Sequence, residues 1–217
     1  SPSSTASAPP SPANSIERAA RRGAILVDMD SVIVDWDGAF LERWLPRLAD
    51  DDARAAATAM VRSRRHYEME ANFADADRDA VIATITSPGM YREMRPIEGA
   101  VEALKAMAAA GLDVRIVTAP HHMCAAASAA EKIEWVVSHL GADWLPRLVL
   151  TRDKTCVNGA VLIDDKPSVT GAAVPSWEHV LFSQPYNRDV DLGGRRRMGS
   201  WRQWRELLVE AGSDSDE

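Results

Sequence analysis

Two pairs of carboxylates stand where apolar runs end: Asp28-Met29-Asp30 follows Ala24-Ile25-Leu26-Val27, and Asp164-Asp165 follows Ala160-Val161-Leu162-Ile163. Carboxylates offered from two strands can hold a hard cation such as magnesium through oxygen, leaving positions for water and an anionic ligand. A carboxylate can also attack phosphorus and form an acyl phosphate. Two further residues complete such a set. Thr118 ends the run Val114-Arg115-Ile116-Val117, and Lys154 lies just past Leu148-Val149-Leu150. A hydroxyl and an ammonium would orient and neutralise phosphoryl oxygens as charge shifts. Each residue has a plainer reading by itself: Asp28, Asp30 and the Asp164-Asp165 pair as turn or cap residues, Lys154 as part of the solvated run Arg152-Asp153-Lys154. Their shared position favours a site, because in open parallel sheets sites form at the C-terminal ends of strands. Four clustered carboxylates would raise one another's pKa values, and a bound metal resolves that conflict.

The elements that must position these groups alternate in type. The four apolar runs, with a fifth at His179-Val180-Leu181-Phe182, read as buried parallel strands. From Ile97 to Ala110, Val101, Leu104, Met107 and Ala108 recur at helical spacing, and Gly111 supplies a stop. From Ala125 to Leu140, the residues Ile133, Val136, Val137 and Leu140 predict one apolar side, with Gly141 ending the helix. Trp201 to Ala211 predicts a short amphipathic helix. The alternation predicts an α/β fold, a Rossmann-like parallel sheet flanked by helices. Residues 37–95 break it, being rich in Ala, Arg, Asp and Glu with no convincing strand. They predict a helical insertion after the first strand, in the position of a lid. The expected division is an N-terminal tail over 1–22, a core over 23–37 and 96–211, a helical cap over 38–95 and an acidic tail over 212–217.

Composition narrows the function classes. The chain has 217 residues, 46% hydrophobic and 26% charged, with a net charge of −7. Such a balance fits a globular protein and gives no general affinity for nucleic acid or anionic membrane. No apolar run approaches the roughly 20 residues that span a bilayer. Cys124 and Cys156 are the only cysteines, which makes no disulfide framework or zinc site and suits a reducing, cytoplasmic setting. Ser1 to Ser15 is almost wholly Ser, Pro and Ala. It reads as a tail; with Arg18, Arg21 and Arg22 following, a mitochondrial presequence remnant is the alternative, against which Glu17 counts. His121-His122 looks like a metal pair, yet adjacent side chains rarely face one way, and a loop near the site is the expected reading. Arg62, Arg64 and Arg65 fit an exposed helix face or a substrate contact. Arg195 to Arg197 lack the interleaved aromatics of a nucleic-acid surface. Trp177 and Trp201 read as core or interface residues.

Asp28-Met29-Asp30-Ser31-Val32 resembles the first motif of the haloacid dehalogenase-like superfamily, Asp-x-Asp-x-[Thr/Val], and Thr118, Lys154 and Asp164-Asp165 resemble its second, third and fourth motifs in order. The runs Leu150-Thr151-Arg152-Asp153-Lys154-Thr155, Leu162-Ile163-Asp164-Asp165-Lys166-Pro167 and Pro175-Ser176-Trp177-Glu178-His179-Val180-Leu181-Phe182 narrow the likeness to the 5′(3′)-deoxyribonucleotidases. The ending from Arg195 through Trp201 and Trp204 agrees. The resemblance implies a magnesium-dependent phosphomonoesterase with a small helical cap, acting on a nucleoside monophosphate, with dimers among its relatives. It implies Asp28 as nucleophile and Asp30 as acid and base. Magnesium would rest on Asp28, the backbone carbonyl of Asp30, and Asp165, with Asp164 touching it only indirectly or through water. Thr118, Ala119 and Lys154 would meet the phosphate, and Arg64, Arg65, His66 and Ile85 fall near the cap's substrate contacts. Two departures stand out. Ser31 replaces the family's usual Gly, and Ile85 stands where an aromatic would stack on the base, with His66, Tyr67, Phe73 or an arginine as substitutes. The altered cap leaves open a phosphatase for another small ester, and a catalytically inactive nucleotide-binding protein is the remaining alternative.

Overall fold

The computed structural model describes residues 23–210, so the tails expected over 1–22 and 212–217 lie outside the described residues. Six strands form one wholly parallel sheet: β1 (Ile25–Val27), β2 (Val114–Thr118), β3 (Leu148–Leu150), β4 (Val161–Asp164), β5 (Glu178–Phe182) and β6 (Arg197–Met198), in the order β3-β2-β1-β4-β5-β6. Five of these are the strands expected. The sixth spans two residues inside the arginine run, too short and too polar to show a pattern.

β1 lies at the centre of the sheet and is buried on both faces, as its unbroken apolar run requires. Ile25 and Val27 join the larger core with Leu104, Val114 and Ile163. Leu26 points the other way and packs with Val117, Leu162 and Trp177. Burying a side chain of this size is worth roughly 1.5–3 kcal/mol, so the run is fixed as a central strand. Trp201 is buried too; its indole donates to the Val32 carbonyl at 2.8 Å.

Helices cover the sheet. α1 (Trp36–Trp44), α2 (Asp51–Arg62) and α3 (Arg78–Ile85) lie between β1 and β2, where no strand forms. Asp35 caps α1 by accepting from the Gly38 N–H at 2.9 Å, and Asp50 caps α2 from Ala53 at 2.8 Å. α4 (Ala100–Ala109) buries Ala100, Ala103, Leu104 and Met107. α5 (Ala125–His139) follows β2, and α6 (Trp204–Glu210) closes the described chain. Gly111 (φ +84) and Gly141 (φ +108) follow α4 and α5 in backbone that favours glycine. None of these helices is long and apolar enough to cross a membrane.

The apolar side read for α5 holds for Val136 and Leu140, which are buried, and is corrected for its other two residues. Ile133 and Val137 are exposed, at 38% and 40%. The buried stripe is Ser128, Lys132, Trp135 and Val136, at equally regular helical spacing but with a hydroxyl and an ammonium in it. Those two groups face the strand ends, which makes that stripe the inward one.

Past β1 the chain turns at once. Ser31 has φ +59, in the left-handed region, which explains why a glycine suits this position. Its carbonyl accepts from Gln184 Nε2 at 2.5 Å. Ser31→Gly should raise unfolding stability by about 0.5–1 kcal/mol, the left-handed penalty less the entropy glycine loses. A higher urea midpoint at unchanged slope would report this; a lowered midpoint would show that the serine makes a compensating contact.

Candidate active site

Parallel register decides which side chains meet. Val27 is level with Ile163 of β4 and Ile116 of β2, so Asp28 comes level with Asp164, and Met29 with Asp165 and Thr118. The strand order reverses between β1 and β4, and at such a reversal the flanking loops part and leave a crevice. Asp28, Asp30, Thr118, Ala119, Lys154 and Asp164 line it.

Lys154 is the pivot. It is buried, with Nζ 2.8 Å from Asp28 Oδ1 and 2.6 Å from Asp164 Oδ2. Burial pulls its pKa down, but the two carboxylates outweigh that and hold it above the usual lysine range. The Asp28 carboxyl is pushed up to about 6, chiefly by burial, with Asp164 and Asp30 adding to the rise and Lys154 opposing it. Asp165 is raised well above the carboxylate range by burial and by its neighbours Asp164 and Asp28. The tool of choice for relieving such crowding is a cation.

The donor set fits one. Oxygens of Asp28, Asp164 and Asp165 lie within 4.8 Å of one another. Both oxygens of Asp164 are already engaged, one with Lys154 and one with the Lys166 N–H at 2.8 Å. Asp165 differs: Tyr186 donates its hydroxyl to Oδ2, while Oδ1 is buried with no hydrogen-bond partner among the described residues. A buried carboxylate oxygen without a donor is costly, and a hard cation would satisfy it. Asp30 is not among these three, and its Oδ1 is likewise buried with no hydrogen-bond partner among the described residues.

What Asp30 turns towards was not foreseen. Lys132 is fully buried, and its Nζ donates to Asp30 Oδ2 at 2.7 Å, Thr118 Oγ1 at 2.8 Å and the Ala119 carbonyl at 2.9 Å. In the sequence it stands between Glu131 and Ile133, near Glu134, and looks like part of a solvated face. The signal that marks it is its place on the Ser128–Lys132–Trp135 stripe. Glu131 also works inward, accepting from the N–H groups of Gly89 and Tyr91 at 2.7 and 2.9 Å.

The expected cap contacts divide. Ile85 is buried and shares a second pocket, joined to the first through Asp30, Tyr67, Glu68 and His121, with Trp36, Glu70 and Arg64. Arg64 reaches that pocket with its donors already committed: to Asp37 at 3.0 Å and to the carbonyls of His66 and Tyr67 at 2.7 and 2.6 Å. Its guanidinium lies 3.9 Å over the Tyr186 ring. Arg64 thus clasps the 66–67 backbone from the wall of that pocket. Arg65 and His66 are exposed and line neither pocket; their N–H groups go to Asn72 Oδ1. Phe73 packs on Phe40 and Trp44 instead. Arg62 pairs with Asp35.

His121 and His122 do face one way: their rings stack at 4.8 Å and line the cleft, apart from the three carboxylates. Trp177 and Trp201 are core residues, as expected. Arg195, Arg196 and Arg197 are bound internally, to Pro167 and Leu192 carbonyls, to Glu178, and to Asn187.

A family described as "5′ nucleotidase, deoxy (Pyrimidine), cytosolic type C protein" matches residues 22–213. A Bordetella pertussis protein whose name assigns it provisionally to the 5′(3′)-deoxyribonucleotidases is 42% identical over 185 residues, 85% of this chain and 95% of its own. The human mitochondrial 5′(3′)-deoxyribonucleotidase is 39% identical over 191 residues, 85% of this chain and 81% of that protein. Among solved structures, a HAD family hydrolase from Deinococcus radiodurans with bound phosphate and sodium shares the fold. It superposes at a TM-score of 0.55 with 18% identity, covering 88% of this chain and 96% of that one.

Magnesium should raise the melting temperature of the wild-type protein by several degrees at saturation, since a ligand bound by the folded state alone stabilises it. Asp165→Asn should remove most of that rise. An equal rise in wild type and variant would place the cation elsewhere.

Proposed function

The chain belongs to the 5′(3′)-deoxyribonucleotidase family, and from that premise we propose that it hydrolyses nucleoside monophosphates through an aspartyl-phosphate on Asp28, with magnesium as its metal. The observation that carries this reading is the buried Lys154 ammonium set between Asp28 and Asp164 at the reversal of strand order.

In the first step an oxygen of Asp28 attacks phosphorus, the bond from phosphorus to the nucleoside oxygen breaks, and Asp30 gives that oxygen its proton. Asp30 then takes a proton from water, whose oxygen attacks phosphorus. The bond to Asp28 breaks, inorganic phosphate leaves and the carboxylate is restored. Lys154 steadies the nucleophile and the phosphoryl charge. Thr118 Oγ1 accepts from Lys132, which leaves its own hydrogen free to donate to a phosphoryl oxygen. Lys132 is a positioning residue, fixing Asp30 where its proton is needed. Magnesium, when bound to Asp28, Asp165 and the Asp30 carbonyl with Asp164 in support, would screen the phosphate charge and orient it.

Residues 38–95 act as the cap in this reading, because Tyr67 and Glu68 stand at the cleft. Closure over the nucleoside would exclude competing water. Cys124 and Cys156 are free thiols, which supports placing the protein in a reducing compartment, the cytoplasm.

Asp28→Asn should lower the hydrolysis of deoxynucleoside monophosphates by roughly a thousand-fold or more with magnesium present, while its circular dichroism spectrum stays that of the wild type. Undiminished hydrolysis would sink the mechanism. On the wild type, a panel of nucleoside monophosphates and sugar phosphates tests the substrate class; equal rates on all would remove the nucleotide assignment.

A further inference from the structure

Resting on the nucleotidase reading, we propose that Asp153 is a positioning residue for Lys154, tying the turn that carries the lysine to the loop across the phosphate cleft. In the run Thr151-Arg152-Asp153-Lys154-Thr155, Lys154 alone touches Asp28 and Asp164. A lysine reaches its partners on a flexible four-carbon stem, so its place depends on how firmly its backbone is held. That backbone is a single 3-10 turn, Lys154–Cys156, a form whose hydrogen-bond geometry gives little rigidity of its own.

Asp153 supplies the rigidity from outside the turn. Its Oδ1 accepts from the Thr155 N–H at 2.9 Å and from the Thr155 hydroxyl. Its Oδ2 accepts from the Ala172 N–H at 2.8 Å and meets the Cys156 thiol at 3.5 Å. Thr155 Oγ1 in turn accepts from the Ala173 N–H at 3.1 Å. The loop held by these two N–H groups carries Val169 and Thr170, which line the cleft with Lys154. From the other side the Trp177 indole donates to the Lys154 carbonyl at 3.4 Å.

A surface aspartate in a solvated run does not gather donors from two segments in this way. The Ala172 N–H and the Thr155 hydroxyl pull the Asp153 carboxyl down to about 2, so each donor meets a full charge, which makes such bonds roughly twice as strong as neutral ones. Gly171 shows how closely the segments approach. It is not in the left-handed region, yet a Cβ there would overlap the Asp153 carboxylate and the Thr155 hydroxyl oxygen. Without the clasp the turn and the loop would move independently, and a shift of about 1 Å in a positioned group can cost about a hundred-fold in rate.

The test measures kcat and KM on the full chain with magnesium, using dUMP and p-nitrophenyl phosphate. Asp153→Ala should lower kcat/KM about ten- to a hundred-fold, by the same factor on both esters because the phosphate end is common to them. The variant should keep the magnesium-induced rise in melting temperature. Asp153→Asn, with one acceptor oxygen left, should fall in between. In a Lys154→Met background, Asp153→Ala should cost less than about two-fold, since Asp153 acts through the lysine. Gly171→Ala keeps every charge and displaces only the carboxylate; it should lower kcat as Asp153→Ala does, and it decides the matter if Lys154→Met does not fold. Wild-type kcat in Asp153→Ala or Gly171→Ala, a loss undiminished in the Lys154→Met background, or a lost magnesium response would overturn the role of Asp153 and leave the nucleotidase reading standing. A wild-type rate in Lys154→Met would overturn both.

Discussion

One buried ammonium holds the site together. Lys154 lies within 2.8 Å of carboxylates from two strands, Asp28 and Asp164, and without it those carboxylates would sit unpaired in the interior. Breaking a buried ion pair by removing one partner costs roughly 3–5 kcal/mol, so this contact is both structural and chemical. The same lysine that makes the carboxylates tolerable opposes the rise in the Asp28 pKa and so favours its anion. Lys132 repeats the arrangement on the other side, against Asp30. Four carboxylates and two ammonium groups still leave an excess of negative charge when all are ionised. A divalent cation would balance it, and among the described residues Asp165 Oδ1 and Asp30 Oδ1 are buried with no hydrogen-bond donor.

The rest of the fold serves that contact. A central strand buried on both faces cannot shift by one residue without turning Leu26 out of its own core, and the fixed register brings Asp28 level with Asp164. The sharp turn at Ser31, tied by its carbonyl to Gln184, sends the chain straight into the helices above the cleft. Arg64 fastens that helical segment to the core: it pairs with Asp37, covers the Tyr186 ring and gathers the 66–67 carbonyls, while Tyr186 donates to Asp165. The segment that carries Tyr67 and Glu68 at the cleft is thus joined, through two side chains, to a carboxylate that fits a metal.

How much was legible in the sequence follows from what each residue is next to. Asp28, Asp164 and Lys154 could be read because each closes an apolar strand, and a strand end is visible in one dimension. Lys132 could not, because its neighbours Glu131 and Glu134 make the helix look solvated there; its burial is decided by which stripe faces the sheet. The choice between the Ile133–Val137 side and the Ser128–Trp135 side of α5 depends on polar partners across the fold, Asp30 and Thr118, that spacing does not show. The partners of Arg64 were hidden for the opposite reason. An arginine beside a cleft suggests a substrate anion, but Asp37, 27 positions away, had already claimed it. Cap residues were the hardest to place, since short turns and 3-10 helices carry no period.

The central claim, that the Asp28 oxygen held by Lys154 becomes bonded to phosphorus, has a direct chemical test. Enzyme mixed with excess deoxynucleoside monophosphate and magnesium, quenched in acid and reduced with borohydride, converts an aspartyl-phosphate to homoserine, which peptide mass spectrometry locates. The account predicts homoserine at position 28 and at no other aspartate. Homoserine at position 30, 164 or 165, or unmodified peptide under conditions of full turnover, would contradict it.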